Sequence, residues 1–235
     1  MTVARVVSLV PSVTETLLAW GVEPAACTRF CEQPSLRPVG GTKDPDVGAI
    51  VDLGPELVVM CDEENRREDA EALEAAGLVV HSCSPRSVAD VGPAMAALAA
   101  AVGVSPPAGL QGAPVPSTSP LDLRAFVPIW RRPWMSLAGD TYGSSVLAAL
   151  GVGNVFADAG DRYPQIDLDQ VRAASPDVIL APSEPYRFRP RHLDELAAIA
   201  TTVAVDGQDL FWWGVRTPAA VTRIHRAVAD AVGVP

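Results

Sequence analysis

Short apolar runs alternate with helix-like segments along most of this chain, and this alternation constrains the fold more than any other feature. Residues 5–10 and 55–61 are rich in Val and Leu, as buried strands are. Residues 65–76 form a charged amphipathic segment that ends at Gly77, as helices often do. Because parallel strands are joined by helices that cover both faces of the sheet, the pattern predicts an α/β fold.

The second half of the chain repeats the order of the first. The segments 40–83 and 160–205 both contain a turn, a helix, a strand with the motif Pro-acid-aliphatic, an acidic loop, a second helix and a final strand. This weak internal repeat predicts two Rossmann-like α/β lobes joined by a helix. We place the N-terminal lobe at residues 1–87, the linking helix and Pro-rich connector at 88–124, and the C-terminal lobe at 125–235.

Composition excludes several classes of protein. The chain has 235 residues, with 28 acidic against 18 basic side chains and a net charge of −10, which disfavours nucleic acid as a partner. It lacks an apolar run of about eighteen residues, so no membrane span is predicted. The start of the sequence shows no signal peptide. We therefore expect a monomer that is cytoplasmic as written, or extracytoplasmic if a leader preceded residue 1.

Aromatic and polar residues gather where the predicted strands end. Ligands of open parallel sheets bind beyond the carboxyl ends of the strands, so two facing lobes would place these residues along a ligand cleft between them. The adjacent residues Trp212 and Trp213 cannot both face one core, which favours a surface position for one of them. A cleft lined by aromatic side chains suits a large, flat and partly apolar ligand.

Eight short motifs, in this order along the chain, resemble those of periplasmic-binding-protein-like cobalamin and iron-chelate receptors. They occupy residues 5–15, 31–34, 40–46, 63–66, 139–141, 163–164, 183–186 and 212–218. The likeness covers residues 3–104 and 125–232. The chain is thus similar to the helical-backbone metal receptor superfamily, and most of all to its cobalamin-binding branch.

The resemblance implies a non-enzymatic binding protein for cobalamin or a related corrinoid, with no catalytic residue and no catalytic cofactor. It also implies a ligand held between two rigidly linked lobes, and delivery to the permease of an ABC importer. Here the linking helix is shorter, because residues 105–120 replace part of it. By resemblance, Phe30, Tyr163 and Trp212 match aromatic positions around the corrin. The full predicted ligand-binding set is Ser12, Phe30, Cys31, Thr42, Glu64, Trp130, Thr141, Tyr163, Tyr186 and Trp212.

Two alternatives stay open at this point. Another metal chelate, such as haem or a ferric siderophore, would suit the same scaffold. An intracellular enzyme or metal-handling protein is the second alternative, since Cys31, Cys61 and Cys83 all fall at predicted strand ends and His81 lies near the last of them. Thiolates and imidazole bind zinc, copper or cobalt. Without any CxxC pair, however, small buried apolar side chains are the favoured interpretation of these cysteines, and no metal site is predicted.

Overall fold

The computed structural model describes residues 5–112 and 119–233, and within these residues the chain divides into two compact units. The first unit contains residues 5–85, 89–112 and 213–215, and the second contains residues 86–88, 119–212 and 216–233. The predicted linking segment 88–124 is therefore not separate, because most of its helix packs with the first unit. Residues 113–118 of the predicted connector lie outside the described residues.

The first unit is built on a four-stranded parallel sheet. Its strands are β1 (Val6–Ser8), β2 (Ala26–Cys27), β3 (Leu57–Met60) and β4 (Val80–Ser82), in the order β2-β1-β3-β4. Its helices are α1 (Pro11–Ala19), α2 (Val47–Leu53), α3 (Arg67–Ala75) and α4 (Val88–Val102), with a 3₁₀ turn at Arg29–Cys31. One core cluster includes Val7, Val58 and Leu73, all fully buried.

The second unit has its own four-stranded parallel sheet and a small antiparallel pair. The strands of the main sheet are β5 (Leu123–Phe126), β7 (Val152–Asn154), β9 (Val178–Pro182) and β10 (Thr201–Val205), and the pair consists of β6 (Trp134–Met135) and β8 (Gln165–Ile166). The helices are α5 (Tyr142–Ala149), α6 (Leu168–Ala174), α7 (Pro190–Ala197), α8 (Gly207–Phe211) and α9 (Thr217–Val232). Because β5 starts at Leu123, the second lobe begins before the predicted boundary at residue 125.

The two sheets share one topology. From its opposite edge, the main sheet of the second unit has the order β7-β5-β9-β10. When the strands of each main sheet are counted along the chain, both sheets therefore have the order second, first, third, fourth. This agreement confirms the predicted α/β fold and the internal repeat. Within the described part of the chain, no helix combines the length and apolar character that a membrane span needs.

Near the start of two helices, a residue of a type that often caps helices does not act as the cap. α1 begins at Pro11, whose fixed φ suits the first helical position, so Ser12 lies inside the helix and no side chain caps it. Likewise, Thr217 is the first residue of α9 and not its cap, since its hydroxyl pairs with the Tyr142 hydroxyl at 2.9 Å. Ser12 and Thr217 are instead buried in the packed interior of their units.

Candidate functional site

Three of the predicted ligand-binding aromatics stand out by their exposure. Phe30, Trp130 and Tyr163 are 50%, 44% and 41% exposed, and among the described residues only Val79 joins them as a large, exposed apolar side chain. A single exposed apolar residue needs no explanation. Here, however, the exposed rings coincide with positions that the sequence assigns to a ligand, which marks them as candidate contacts.

In the first unit, Phe30 is presented by the 3₁₀ turn that follows β2. The turn is capped by Thr28, whose Oγ1 accepts a hydrogen bond from the Phe30 N–H at 3.3 Å. The Arg29 guanidinium lies 4.8 Å from the centroid of the Phe30 ring and is bonded to both carboxylate oxygens of Asp44, at 2.9 and 3.0 Å. The ring is therefore held at the surface by a fixed backbone and a paired cation.

Asn65 ties together the loops that carry Thr42 and Glu64. Its Nδ2 donates to the carbonyl oxygens of Leu9 and Thr42, at 3.1 and 2.9 Å, and its Oδ1 accepts from the Cys61 N–H at 2.8 Å. Sequence reasoning did not assign Asn65 a role, although it belongs to the quoted motif at residues 63–66. A buried amide that makes three backbone hydrogen bonds fixes the carboxyl edge of this sheet.

In the second unit, the loops after β5 and β9 meet through their aromatic side chains. Trp130 and Tyr186 pack edge to face, with ring centroids 5.2 Å apart, and Tyr186 lies 4.9 Å from Phe188. Phe188 in turn stacks on Trp134 at 5.9 Å, with the two rings nearly parallel. We call these four residues the aromatic ladder. Sequence reasoning assigned Trp130 and Tyr186 to the ligand but missed Phe188.

An ion pair supports the inner end of the ladder. The Arg131 guanidinium lies 5.3 Å from the Trp134 ring centroid and pairs with Glu195 of α7 at 2.9 Å. The buried His192 ring lies 5.9 Å from Tyr186, and the Arg189 N–H donates to its Nδ1 at 3.1 Å. Trp130 is therefore the exposed end of an ordered stack and not an isolated surface residue.

The two adjacent tryptophans are divided between surface and core, as predicted. Trp213 is buried, whereas Trp212 is half-buried with the Arg216 guanidinium 5.2 Å from its ring centroid. Arg216 donates to the buried carboxylate of Asp209 at 2.9 Å. Tyr163 is similarly accompanied by Arg162, at 5.9 Å. Cation–π contacts of this kind orient aromatic rings at a surface.

Three predicted contact residues are buried instead. Ser12 and Cys31 are 1% and 3% exposed, and Thr141 is 2% exposed. Among the described side chains, the Ser12 hydroxyl is one of two buried polar groups with no hydrogen-bond partner. Direct ligand contact by these three residues stays a prediction. The Cys31 and Thr141 side chains make hydrogen-bond contacts with the segments around them.

The Thr141 side chain caps α5. Its hydroxyl donates to the Ala138 carbonyl at 2.7 Å and accepts from the Ser144 N–H at 3.3 Å. We expect Thr141→Val to lower the free energy of unfolding by about 1–2 kcal/mol, because the cap is lost and two buried backbone groups lose their partner. Urea unfolding followed by tryptophan fluorescence measures this change. Thr222→Val in α9 is the matched control, and an equal loss there would contradict the capping role.

Cys31 is the cysteine whose chemistry departs most from that of a buried apolar residue. A hydrogen bond from the Cys27 thiol, helped by the Thr14 and Thr28 hydroxyls, lowers its pKa to about 6 and outweighs the opposing effect of burial. We expect one thiolate per chain to ionise near pH 6, visible as ultraviolet thiolate absorbance. Cys27→Ala should move this transition toward the ordinary thiol range, and an unchanged midpoint would remove Cys27 as the main donor.

The cysteines do not form a multidentate metal site. All four are free and buried, and within residues 5–112 and 119–233 no three His, Cys, Asp or Glu side chains converge on one point. The structure thus brings together Trp130 with Tyr186, and Thr42 with Glu64 through Asn65.

Comparisons with known proteins agree with the resemblance that the motifs carry. No protein-family model matches the chain. The Vitamin B12-binding protein of Vibrio vulnificus is 26% identical over 193 residues, which is 75% of this chain and 70% of that protein. That of Photorhabdus laumondii is 26% identical over 202 residues, with the same two coverages.

Solved structures share the fold over nearly the whole chain. The periplasmic vitamin B12 binding protein BtuF of Vibrio cholerae superposes with a TM-score of 0.78 at 20% identity, covering 97% of this chain and 98% of that one. The periplasmic heme-binding protein BhuT in complex with two hemes gives 0.80 at 22% identity, covering 97% and 99%. These matches confirm the periplasmic-binding-protein fold and the similarity to cobalamin and iron-chelate receptors.

Proposed function

We propose that this chain is a substrate-binding receptor whose ligand is cobalamin or a closely related corrinoid. The observation that carries the proposal is the exposure of Phe30 and Tyr163, at positions that the resemblance matches to aromatic residues around the corrin, together with the exposure of Trp130 in a loop at a strand end. Covering an exposed aromatic ring with a flat, apolar macrocycle removes apolar surface from water, which favours binding. The proposal includes no catalytic step, in keeping with relatives that are named as binding proteins.

A ligand-retention experiment tests this proposal. Purified protein is mixed with cyanocobalamin, desalted and examined by visible absorbance beside a ligand-free sample. We expect nearly one corrin per chain to remain with the protein. The Phe30→Ala/Trp130→Ala/Tyr163→Ala triple variant should retain much less, while Val79→Ala, which removes an exposed side chain outside the predicted set, should retain as much as the wild type. Absence of retained corrin would overturn the proposal.

Haem is the second candidate ligand, because three arginines lie on or next to the segment that carries two residues of the aromatic ladder. Arg187, Arg189 and Arg191 are exposed on the segment that carries Tyr186 and Phe188, and guanidinium groups bind the carboxylates that haem carries. Solved haem-binding proteins share the fold. The same desalting experiment with haem, at low and high salt, separates the two ligands, since only an anionic ligand should lose affinity strongly as salt rises.

We further propose that the receptor delivers its ligand to the permease of an ABC importer, which would place it outside the cytoplasmic membrane. This part depends on the resemblance and on relatives of the same kind. Fractionation of cells that express the gene from its native start tests the location. Co-purification of the ligand-loaded protein with the importer tests the partner, and a cytoplasmic pool with no importer contact would overturn this part alone.

A further inference from the structure

A surface pocket in the first unit adjoins the 3₁₀ turn that presents Phe30. The pocket has a volume of about 380 Å³ and is lined by residues of β2, of the turn and of the loop that follows the turn. Apolar groups such as those of Leu36 and Pro38 form part of its wall. The polar part of the wall consists of Thr28, Arg29, Glu32 and Gln33.

Arg29 connects this pocket to the exposed Phe30 ring. It forms part of the pocket wall, and its guanidinium lies 4.8 Å from the centroid of that ring. The pocket therefore begins one side chain away from Phe30. A macrocycle that covers Phe30 is much wider than a phenyl ring, so the substituents on its rim come within reach of the pocket.

The polar wall offers both donors and acceptors of hydrogen bonds. A guanidinium only donates and a carboxylate only accepts, whereas a carboxamide does both. Asp44 already compensates the charge of Arg29, since it accepts two hydrogen bonds from Nη2 at 2.9 and 3.0 Å. An entering carboxylate would therefore face the negative charge of Glu32 beside a cation that is already paired. A neutral group that both donates and accepts fits this wall better.

We propose that the pocket is a subsite for a carboxamide side chain of the ligand, and that Glu32 determines its specificity. This inference rests on the proposed function, because a corrinoid carries carboxamides on the rim of its macrocycle, whereas haem carries carboxylates. The amide N–H groups donate to Glu32, and the amide oxygen accepts from Arg29 or Gln33. A carboxylate accepts several hydrogen bonds at once, so Glu32 can bind an amide in addition to its contacts within the chain.

The backbone of Glu32 is an independent reason to assign a role to its side chain. Glu32 follows the turn with φ 53° and ψ 32°, in the left-handed region that glycine adopts readily and other residues adopt rarely. The conformation of the turn alone would thus favour glycine at this position. A charged side chain stands there instead, at the wall of the pocket.

Equilibrium titration with cyanocobalamin and with its monocarboxylic acids, each with one propionamide hydrolysed, tests the subsite. We expect at least one of these acids to bind the wild type about tenfold or more weakly than cyanocobalamin, because facing like charges repel. Glu32→Gln should abolish that difference, since glutamine keeps an acceptor but loses the charge. Glu74→Gln on α3 removes a charge from an exposed residue outside the pocket wall, so it should leave the difference unchanged.

Glu32→Gly separates a binding role from a structural one. Glycine suits the left-handed backbone, so this variant should unfold at the same or a higher urea concentration than the wild type. It should nevertheless bind cyanocobalamin less tightly, because the acceptor for the amide is lost. Wild-type affinity in Glu32→Gly would contradict the proposed contact.

The titrations distinguish failure of the subsite from failure of the proposed function. Equal affinity of the wild type for cyanocobalamin and for every acid would overturn the subsite and leave the corrinoid proposal standing. The same holds if Glu32→Gln discriminates as strongly as the wild type, or if Glu74→Gln loses the discrimination to the same extent as Glu32→Gln. Absence of cyanocobalamin binding by the wild type would overturn both proposals.

Discussion

Replacing Asp209 with Asn is expected to lower the free energy of unfolding of the second unit by about 3 kcal/mol. Asp209 is 3% exposed on α8, and its carboxylate pairs with Arg216 at 2.9 Å and with Arg223 of α9 at 2.6 Å. Removing one member of a buried ion pair leaves the opposite charge without compensation, which costs about 3–5 kcal/mol. The partial exposure of Arg223 places the expected loss at the lower end of that range.

Urea unfolding of the wild type and two variants measures this effect. The matched control is Asp169→Asn, because Asp169 pairs with Arg172 at 2.7 Å but is 92% exposed. Exposed ion pairs contribute about 0–1 kcal/mol, so this variant should be nearly neutral. Similar losses in both variants would contradict the role of burial. Since Arg216 also lies against the Trp212 ring, Asp209→Asn should in addition loosen a predicted ligand contact.

The network around Asp209 also shows what the sequence could not predict. The strand-helix alternation could be predicted, because residues 5–10 and 55–61 are apolar runs long enough to form buried strands and residues 65–76 have the pattern of an amphipathic helix. The repeat was readable from element order alone. By contrast, Asp209 lies on α8 and Arg223 lies 14 residues later on α9, and residue spacing does not specify how the turn between these two helices brings them together.

For the candidate site, too, some features could be predicted from the sequence and others could not. The exposed positions of Trp130 and Tyr163 were predicted from loops at strand ends and from motif order. Cys31 and Thr141 also belong to motifs of this kind, yet their side chains make hydrogen-bond contacts with nearby residues of the chain. Whether a polar side chain faces a ligand or caps a turn depends on a rotation of one bond, which residue type and spacing do not specify.

Removing the exposed end of the aromatic ladder is the second change for which we expect a large effect. Trp130→Ala should weaken corrinoid binding by about 1–3 kcal/mol, or roughly 5- to 150-fold in Kd, which is the range for a hot-spot aromatic. The reason is twofold. The variant removes the most exposed ring of the stack, and it also frees Tyr186, which now packs edge to face against that ring at 5.2 Å.

Trp130→Phe separates these two contributions. A phenyl ring can keep the edge-to-face contact with Tyr186 while offering less surface to the ligand, so its affinity should fall between the wild type and Trp130→Ala. Equilibrium titration of each variant with cyanocobalamin gives the Kd values, and urea unfolding should show little change because Trp130 is 44% exposed. Unchanged affinity in Trp130→Ala with lowered stability would show that the ladder stabilises the fold and does not contact the ligand. Lowered affinity with unchanged stability would show that the ladder is a binding surface, because the Trp130 ring would then contribute free energy only in the ligand complex.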